Sequence, residues 1–197
     1  EVTRKGKVIG AWYFDPYARA GKQSGAWMSA YRDQHRMKGD VLTLVSNNSN
    51  FIKPGEGQAV TVSWDDARTM FHEFGHALHG LLSSVTYPSL SGTNTMRDFV
   101  ELPSQLFEHW LMTDEVLQRH ARHHRTGAPI PADLVERLRA ARRFNQGFDS
   151  VEVCASALLD IALHARTDGA PEDLAAWEAQ QLQALGMPPG IVLRHRL

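Results

Sequence analysis

The stretch Phe71-His72-Glu73-Phe74-Gly75-His76-Ala77-Leu78-His79 decides how this chain is read. As a helix, it sets His72 and His76 one turn apart on one face, about 6 Å along the axis and roughly 40° around it. Two imidazoles so held can share one Zn²⁺ at about 2.0–2.1 Å each. Glu73 points to the side of that pair, where it reaches a water beside the ion rather than the ion itself. With 10 His among 197 residues and a similar number of Glu, random placement gives this H-E-x-x-H spacing in roughly 0.03 of such chains. Coincidence is a poor explanation, and the spacing points to zinc-assisted peptide hydrolysis.

The flanks support a helix there. Ser63-x-x-Asp66 reads as a capping box, and Asp65 and Asp66 lie favourably against the positive end of the helix dipole. Ala67, Met70, Phe71, Phe74, Leu78 and Leu81 recur at three- and four-residue steps, so the helix runs to about Leu82 as a core element. Before it, 7–14 and 41–45 read as strands, and 26–31 is ambiguous between strand and helix. After it comes a loop over 84–94, marked by Tyr87-Pro88 and Ser91-Gly92-Thr93-Asn94. A second helical pattern runs from Thr95 or Asp98 to Leu111, with Pro103 in an early turn or at a kink. Further helices are expected over 114–125, 131–144, 150–166 and 171–185. The fold class is mainly α with a small β-sheet at the N-terminal side. Residues 1–62 form the strand-bearing segment, 63–197 the helical segment with the metal site, and no interdomain linker separates them.

A catalytic zinc usually takes three protein ligands and keeps one position open. The extended H-E-x-x-H pattern with a third histidine needs Gly at position 79 and His at 82; here those are His79 and Leu82. His79 shares the helix face, but three ligands strung along one helix pack awkwardly around a tetrahedral ion. A carboxylate returning from the second helix closes the site better. Asp98, Glu101 and Glu108 lie close to one face of that segment. Glu101 is the first choice, with Asp98 and Glu108 as acceptors for the free ring N–H of a ligating histidine.

Composition excludes other classes. The chain is 43% hydrophobic and 22% charged with a net charge of -1, which gives no reason to expect nucleic acid or a membrane surface as partner. No pattern specifies an oligomer. The single cysteine, Cys154, excludes an internal disulfide framework and fits a reducing compartment, so the cytoplasm is the expected setting. Its apolar helical surroundings suggest a buried, inert thiol. No apolar run approaches the roughly 18–20 residues of a membrane span. A start at Glu1 without methionine is expected of a cut or processed piece.

Phe71 to His79, followed by Arg97-Asp98-Phe99-Val100-Glu101-Leu102-Pro103-Ser104-Gln105, resembles the thimet-oligopeptidase-like family of zinc metallopeptidases. Within it, Tyr87 to Thr95 and Gly25-Ala26-Trp27-Met28 are most similar to the bacterial peptidyl-dipeptidases. The resemblance implies a zincin-like (neurolysin-like) catalytic region, incomplete here, acting on short peptides. It implies one Zn²⁺ per chain on His72, His76 and Glu101, with Glu73 as the catalytic glutamate. Family members are several times longer and carry, after the region matching Met187-Pro188-Pro189, a histidine followed by a Gly/Ala/Tyr-rich segment that contacts substrate. This chain ends before such a segment, and His195 lacks its context.

The leading expectation is therefore a metallopeptidase releasing C-terminal dipeptides, with Glu73 as general base and acid. The alternatives are an endo-acting oligopeptidase of the same family, a fragment inactive on its own, or a non-catalytic helical module. A structural zinc would usually have four ligands, often cysteines, and one cysteine cannot supply them. The strand over 41–45 either lends its edge to an extended peptide or is plain core. The turn Ser91 to Asn94 either approaches substrate or merely connects.

Overall fold

Lys5 and Gly6 both have positive φ, at 52° and 75°, the backbone of a two-residue hairpin turn whose twist matches that of the strands it joins. They link β1 (Val2–Arg4) to β2 (Lys7–Tyr17) in the computed structural model, which describes residues 1–191 and 193. β3 (Trp27–Arg32) and β4 (Thr43–Phe51) complete a four-stranded sheet of order β1-β2-β4-β3. β4 runs parallel to β2 and antiparallel to β3. The ambiguous 26–31 segment is thus a strand, at the sheet edge. The expected 41–45 strand starts later and runs on through Ser46, Asn47, Asn48, Ser49 and Asn50, a polar run that the apolar pattern cannot signal. Partners meet most of these polar side chains: Tyr31 at Ser46, Trp12 at Asn47, Ser46 at Asn48, and the backbone of Gln23 and Gly25 at Asn50, while Ser49 Oγ is buried without one among the described residues. At the same end, the buried ammonium of Lys22 donates to the carbonyls of Asp15, Tyr17 and Ser49, holding β2 and β4 together.

Helix α1 (Trp64–Leu81) starts at the expected capping box, with Asp66 N–H donating to Ser63 Oγ at 3.0 Å and Ser63 N–H to Asp66 Oδ2 at 3.1 Å. It packs on the sheet through Ala77 and Leu81 against Val45, with Val2, Ile9, Trp12, Met28, Phe74 and Leu78 around them. Gly80 permits the close approach: a Cβ there would stand 3.3 Å from Val45 Cγ1. A 3-10 turn at Pro88–Leu90 follows. The second helical segment is shorter than its pattern suggests. α2 covers Leu102–Glu108 with Pro103 in its first turn, where the missing N–H costs no hydrogen bond. The preceding residues form turns, with Phe99 and Val100 N–H donating to Met96. After a 3-10 segment, His109–Met112, α3 spans Asp114–His120. It stops short of residue 125 because Arg122 turns to bridge Pro129 across the bend at Gly127.

The chain divides into two compact units, Glu1–Ile130 and Pro131–Leu197. The division falls at the short Gly127-Ala128-Pro129-Ile130-Pro131 turn, whose glycine and two prolines read equally as an ordinary turn between helices. The second unit holds α4 (Ala132–Arg143), α5 (Gln146–His164) and α6 (Leu174–Ala184). Its core joins Ala155 and Leu159 of α5 to Leu182, Met187 and Leu193, with Trp177 and Ile191 against them. Cys154 corrects the expectation of a buried thiol: it is exposed, because α5 buries Ala155, Ser156 and Leu159 and turns the neighbouring residue outward. No helix among the described residues is long and apolar enough to cross a membrane. His195 lies outside the described residues.

Candidate metal centre

Two helices and a turn bring the centre together. α1 contributes His72, Glu73 and His76 from consecutive turns, and Glu101 stands immediately before α2, at its N-cap position. The helices cross closely at Gly75, where an added Cβ would lie 2.6 Å from Ser104 Cα and 2.8 Å from the Pro103 carbonyl. Only a glycine inside the histidine motif lets α2 come near enough for Glu101 to reach both rings. Phe71 and Phe74 of α1 meet Phe107 of α2 below, with centroids at 5.4 and 5.7 Å.

The donor atoms converge. Glu101 Oε2 lies 3.1 Å from His72 Nε2 and 3.2 Å from His76 Nε2, and the three ligand atoms all fall within 4.8 Å of one another. A tetrahedral ion with ligands at about 2.0–2.1 Å has ligand–ligand edges of about 3.3–3.4 Å, so the two measured edges suit it. The surroundings set the remaining atoms. His72 Nδ1 stands 2.7 Å from Glu108 Oε1, which keeps the ring proton on that side and leaves the Nε2 lone pair facing Glu101. Ser104, fully buried, donates its hydroxyl to Glu101 Oε2 at 2.8 Å and to the Glu101 carbonyl at 2.9 Å.

The ionisation preferences suit a cation. Burial pushes the His76 imidazolium below its ordinary range; Glu101 opposes this and the neighbouring His72 and His79 add to it, so the ring favours its neutral, ligating form. Burial would raise Glu101, but the Ser104 hydroxyl and the two histidines outweigh it and hold the carboxyl low. Two ring nitrogens and a carboxylate oxygen therefore face one point, and a divalent cation placed there satisfies all three. His76 Nδ1 is buried without a hydrogen-bond partner among the described residues. Glu73, only 7% exposed, has its carboxyl raised by burial, with His72 opposing and Glu101 adding to the rise.

His72, Glu73, His76 and Glu101 line one cleft of about 350 Å³ together with Ala26, Trp27, Met28, Thr93 and Val100. Of the residues the sequence singles out, Glu108 thus stands against a histidine. Asp98 does not: it is exposed, and no hydrogen bond or ion pair joins it to either ring among the described residues. The turns before α2 carry it away from the face a longer helix would have given it. His79 is not among the converging atoms; its ring packs edge-on to Phe99 at 6.1 Å. The 41–45 segment has no free edge, since β4 is paired on both sides, and the edge strand beside it is β3 with Trp27 and Met28. Thr93 brings the Ser91–Asn94 turn to the cleft. Sequence reasoning missed Ser104, Asn47 and Trp12. The spacing of Ser104, three residues past Glu101, was the available signal for the first of them.

Residues 1–194 match peptidase family M3. Among similar proteins, the dipeptidyl carboxypeptidase of Salmonella typhimurium is 42% identical over 193 residues, 97% of this chain and 28% of the relative. The dipeptidyl carboxypeptidase of Escherichia coli is 40% identical over the same shares. Oligopeptidase A of Escherichia coli is 35% identical over 162 residues, 81% of this chain and 24% of the relative. The chain thus spans under a third of the length of these relatives.

Proposed function

This chain belongs to peptidase family M3, and from that premise we propose that it carries the zinc centre of a peptidase that shortens small peptides by releasing C-terminal dipeptides. One observation carries the reading: His72 Nε2, His76 Nε2 and Glu101 Oε2 face a common point, with buried Glu73 on the same cleft. Two imidazoles and a carboxylate form the donor set of an open catalytic zinc site, with room for a further oxygen. His72, His76 and Glu101 would hold one zinc per chain, which would supply Lewis acidity to a water and to the scissile carbonyl. Glu73 accepts the proton of that water as it attacks and delivers it to the departing amine. Its burial-raised carboxyl suits both acts, because an acid matched to its task must hold as well as take a proton. Glu108 keeps the His72 ring in its ligating tautomer, and Ser104 keeps the Glu101 carboxylate turned towards the rings. An extended peptide adds to the free edge of β3, beside Trp27 and Met28, by strand addition.

The substrate class follows the similarity to dipeptidyl carboxypeptidases, which covers 97% of this chain. The similarity to oligopeptidase A supports internal cleavage as the second reading. Product analysis on one short peptide, as its free acid and as its C-terminal amide, separates them. Dipeptide release from the acid alone is expected. Equal cleavage of both at internal bonds supports the oligopeptidase reading, and no zinc-dependent cleavage of either removes both.

A further inference from the structure

Asn47 sits mid-strand in β4 with a polar side chain 2% exposed, on the sheet face turned to α1. Its amide is held at both ends. The Trp12 indole N–H donates to Asn47 Oδ1 at 2.7 Å, and Asn47 Nδ2 donates to the backbone carbonyl of Glu73 at 2.6 Å. An indole only donates and a carbonyl only accepts, so the amide fits in one sense; turned over, donor would face donor and acceptor would face acceptor. Trp12 is itself fixed, stacked on Phe14 at 5.6 Å and edge-on to Phe74 at 5.2 Å.

The helix does not need this bond for its own integrity. The Glu73 carbonyl lies inside α1, where the ladder supplies its ordinary donor four residues on. What the bond adds is direction. Packing of Val45 against Ala77 and Leu81 sets how near the helix lies, but apolar contact is non-directional and leaves sliding and rotation weakly determined. A short hydrogen bond from a locked amide determines both. On its other side Asn47 pairs in register with Met28 of β3, and Met28 and Glu73 line the same cleft. One residue therefore connects the edge strand to the backbone of the cleft glutamate.

Resting on the function proposed above, we propose that Asn47, locked by Trp12, is a positioning residue that fixes Glu73 relative to β3 and hence to a peptide lying along it. The reacting groups must sit within a narrow range, and a displacement of about 1 Å costs about 100-fold in rate. A residue that only supports the fold would lower stability and zinc content together, with surviving molecules working normally.

The test uses the full-length protein and three variants. Asn47→Leu keeps the branching and the number of heavy atoms, with bulkier methyls, and removes both hydrogen bonds; Trp12→Phe frees the amide to swing while leaving its donor in place; Glu73→Gln is the control. Zinc stoichiometry and thermal midpoint are measured beside kcat and KM, well below the midpoint. For Asn47→Leu the expected result is full zinc occupancy, KM within about twofold and kcat down at least about tenfold. Trp12→Phe should show the same split to a smaller degree, and it decides the matter if Asn47→Leu does not fold. Parental kcat in a folded, zinc-replete Asn47→Leu, or in Trp12→Phe where that variant decides, overturns the inference. If that happens while Glu73→Gln is inactive, the positioning role alone is lost. Activity in Glu73→Gln instead removes the proposed base, and with it any meaning in placing it.

Discussion

Glu101 gathers three neighbours on one carboxylate oxygen, two ring nitrogens and the Ser104 hydroxyl, and its role rests on theirs. The identity of the converging residues was legible because ligand chemistry restricts residue type and helix geometry restricts spacing. What was not legible is the turn that places Glu101 before α2 rather than within it. That turn leaves Asp98 in solvent while Glu108, one helix further on, reaches His72 at 2.7 Å. Glu108 is therefore the partner whose loss should be felt. Glu108→Gln should weaken zinc affinity about 10–100-fold while leaving one site per chain, measured by competition with a chromophoric chelator. Unchanged affinity would mean that the His72 ring needs no help to hold its tautomer.

The elements hold the site through close approaches between helices as well as through polar contacts. The sequence showed α1 clearly, by its cap and its apolar stripe, and showed only the start of β4, whose polar continuation is met at Asn47 by Trp12 and at Ser46 by Tyr31. Gly75 is the pivotal contact between helices. Gly75→Ala places a methyl 2.6 Å from Ser104 Cα, and backbone cannot step aside as a flexible side chain can. The expected cost is about 1–3 kcal/mol of stability by overpacking, with weakened zinc binding as α2 carries Glu101 outward. An unaltered thermal midpoint and affinity would show that α2 retreats freely. A second element-scale test uses pH. Burial pushes His79 below its ordinary 6.5, so the unfolded chain binds that proton first. Stability is then lost as the pH falls below about 6.5 and on through the lower folded-state value. His79→Leu in metal-free protein should flatten the dependence of the thermal midpoint over that window, and an unchanged slope would exclude His79 as a source of it.

On the scale of the whole molecule, every residue of the candidate metal centre, with its hydrogen-bond partners among the described residues, lies in Glu1–Ile130, while Pro131–Leu197 has its own core. The predominance of helix and the small N-terminal sheet were legible from periodicity. The division was not, because the Gly127-Ala128-Pro129-Ile130-Pro131 run carries the same Gly/Pro signal as a turn between helices of one unit. Nor was the exposure of Cys154, since α5 carries apolar residues on more than one face and sequence alone does not say which face is covered. Leu159 is 2% exposed in the second core. Leu159→Ala should cost about 2–5 kcal/mol there without changing zinc affinity, read by calorimetry and metal titration on one preparation. Loss of zinc together with the second core would show that the site depends on it.

Zinc titration of the protein beside its Glu101→Ala variant tests the convergence itself. One ion per chain is expected for the parent, and in the variant a loss of affinity beyond the about 10–100-fold that follows removal of a supporting partner. A parent that takes up no zinc, or a variant that binds it equally well, would contradict a centre built on His72, His76 and Glu101.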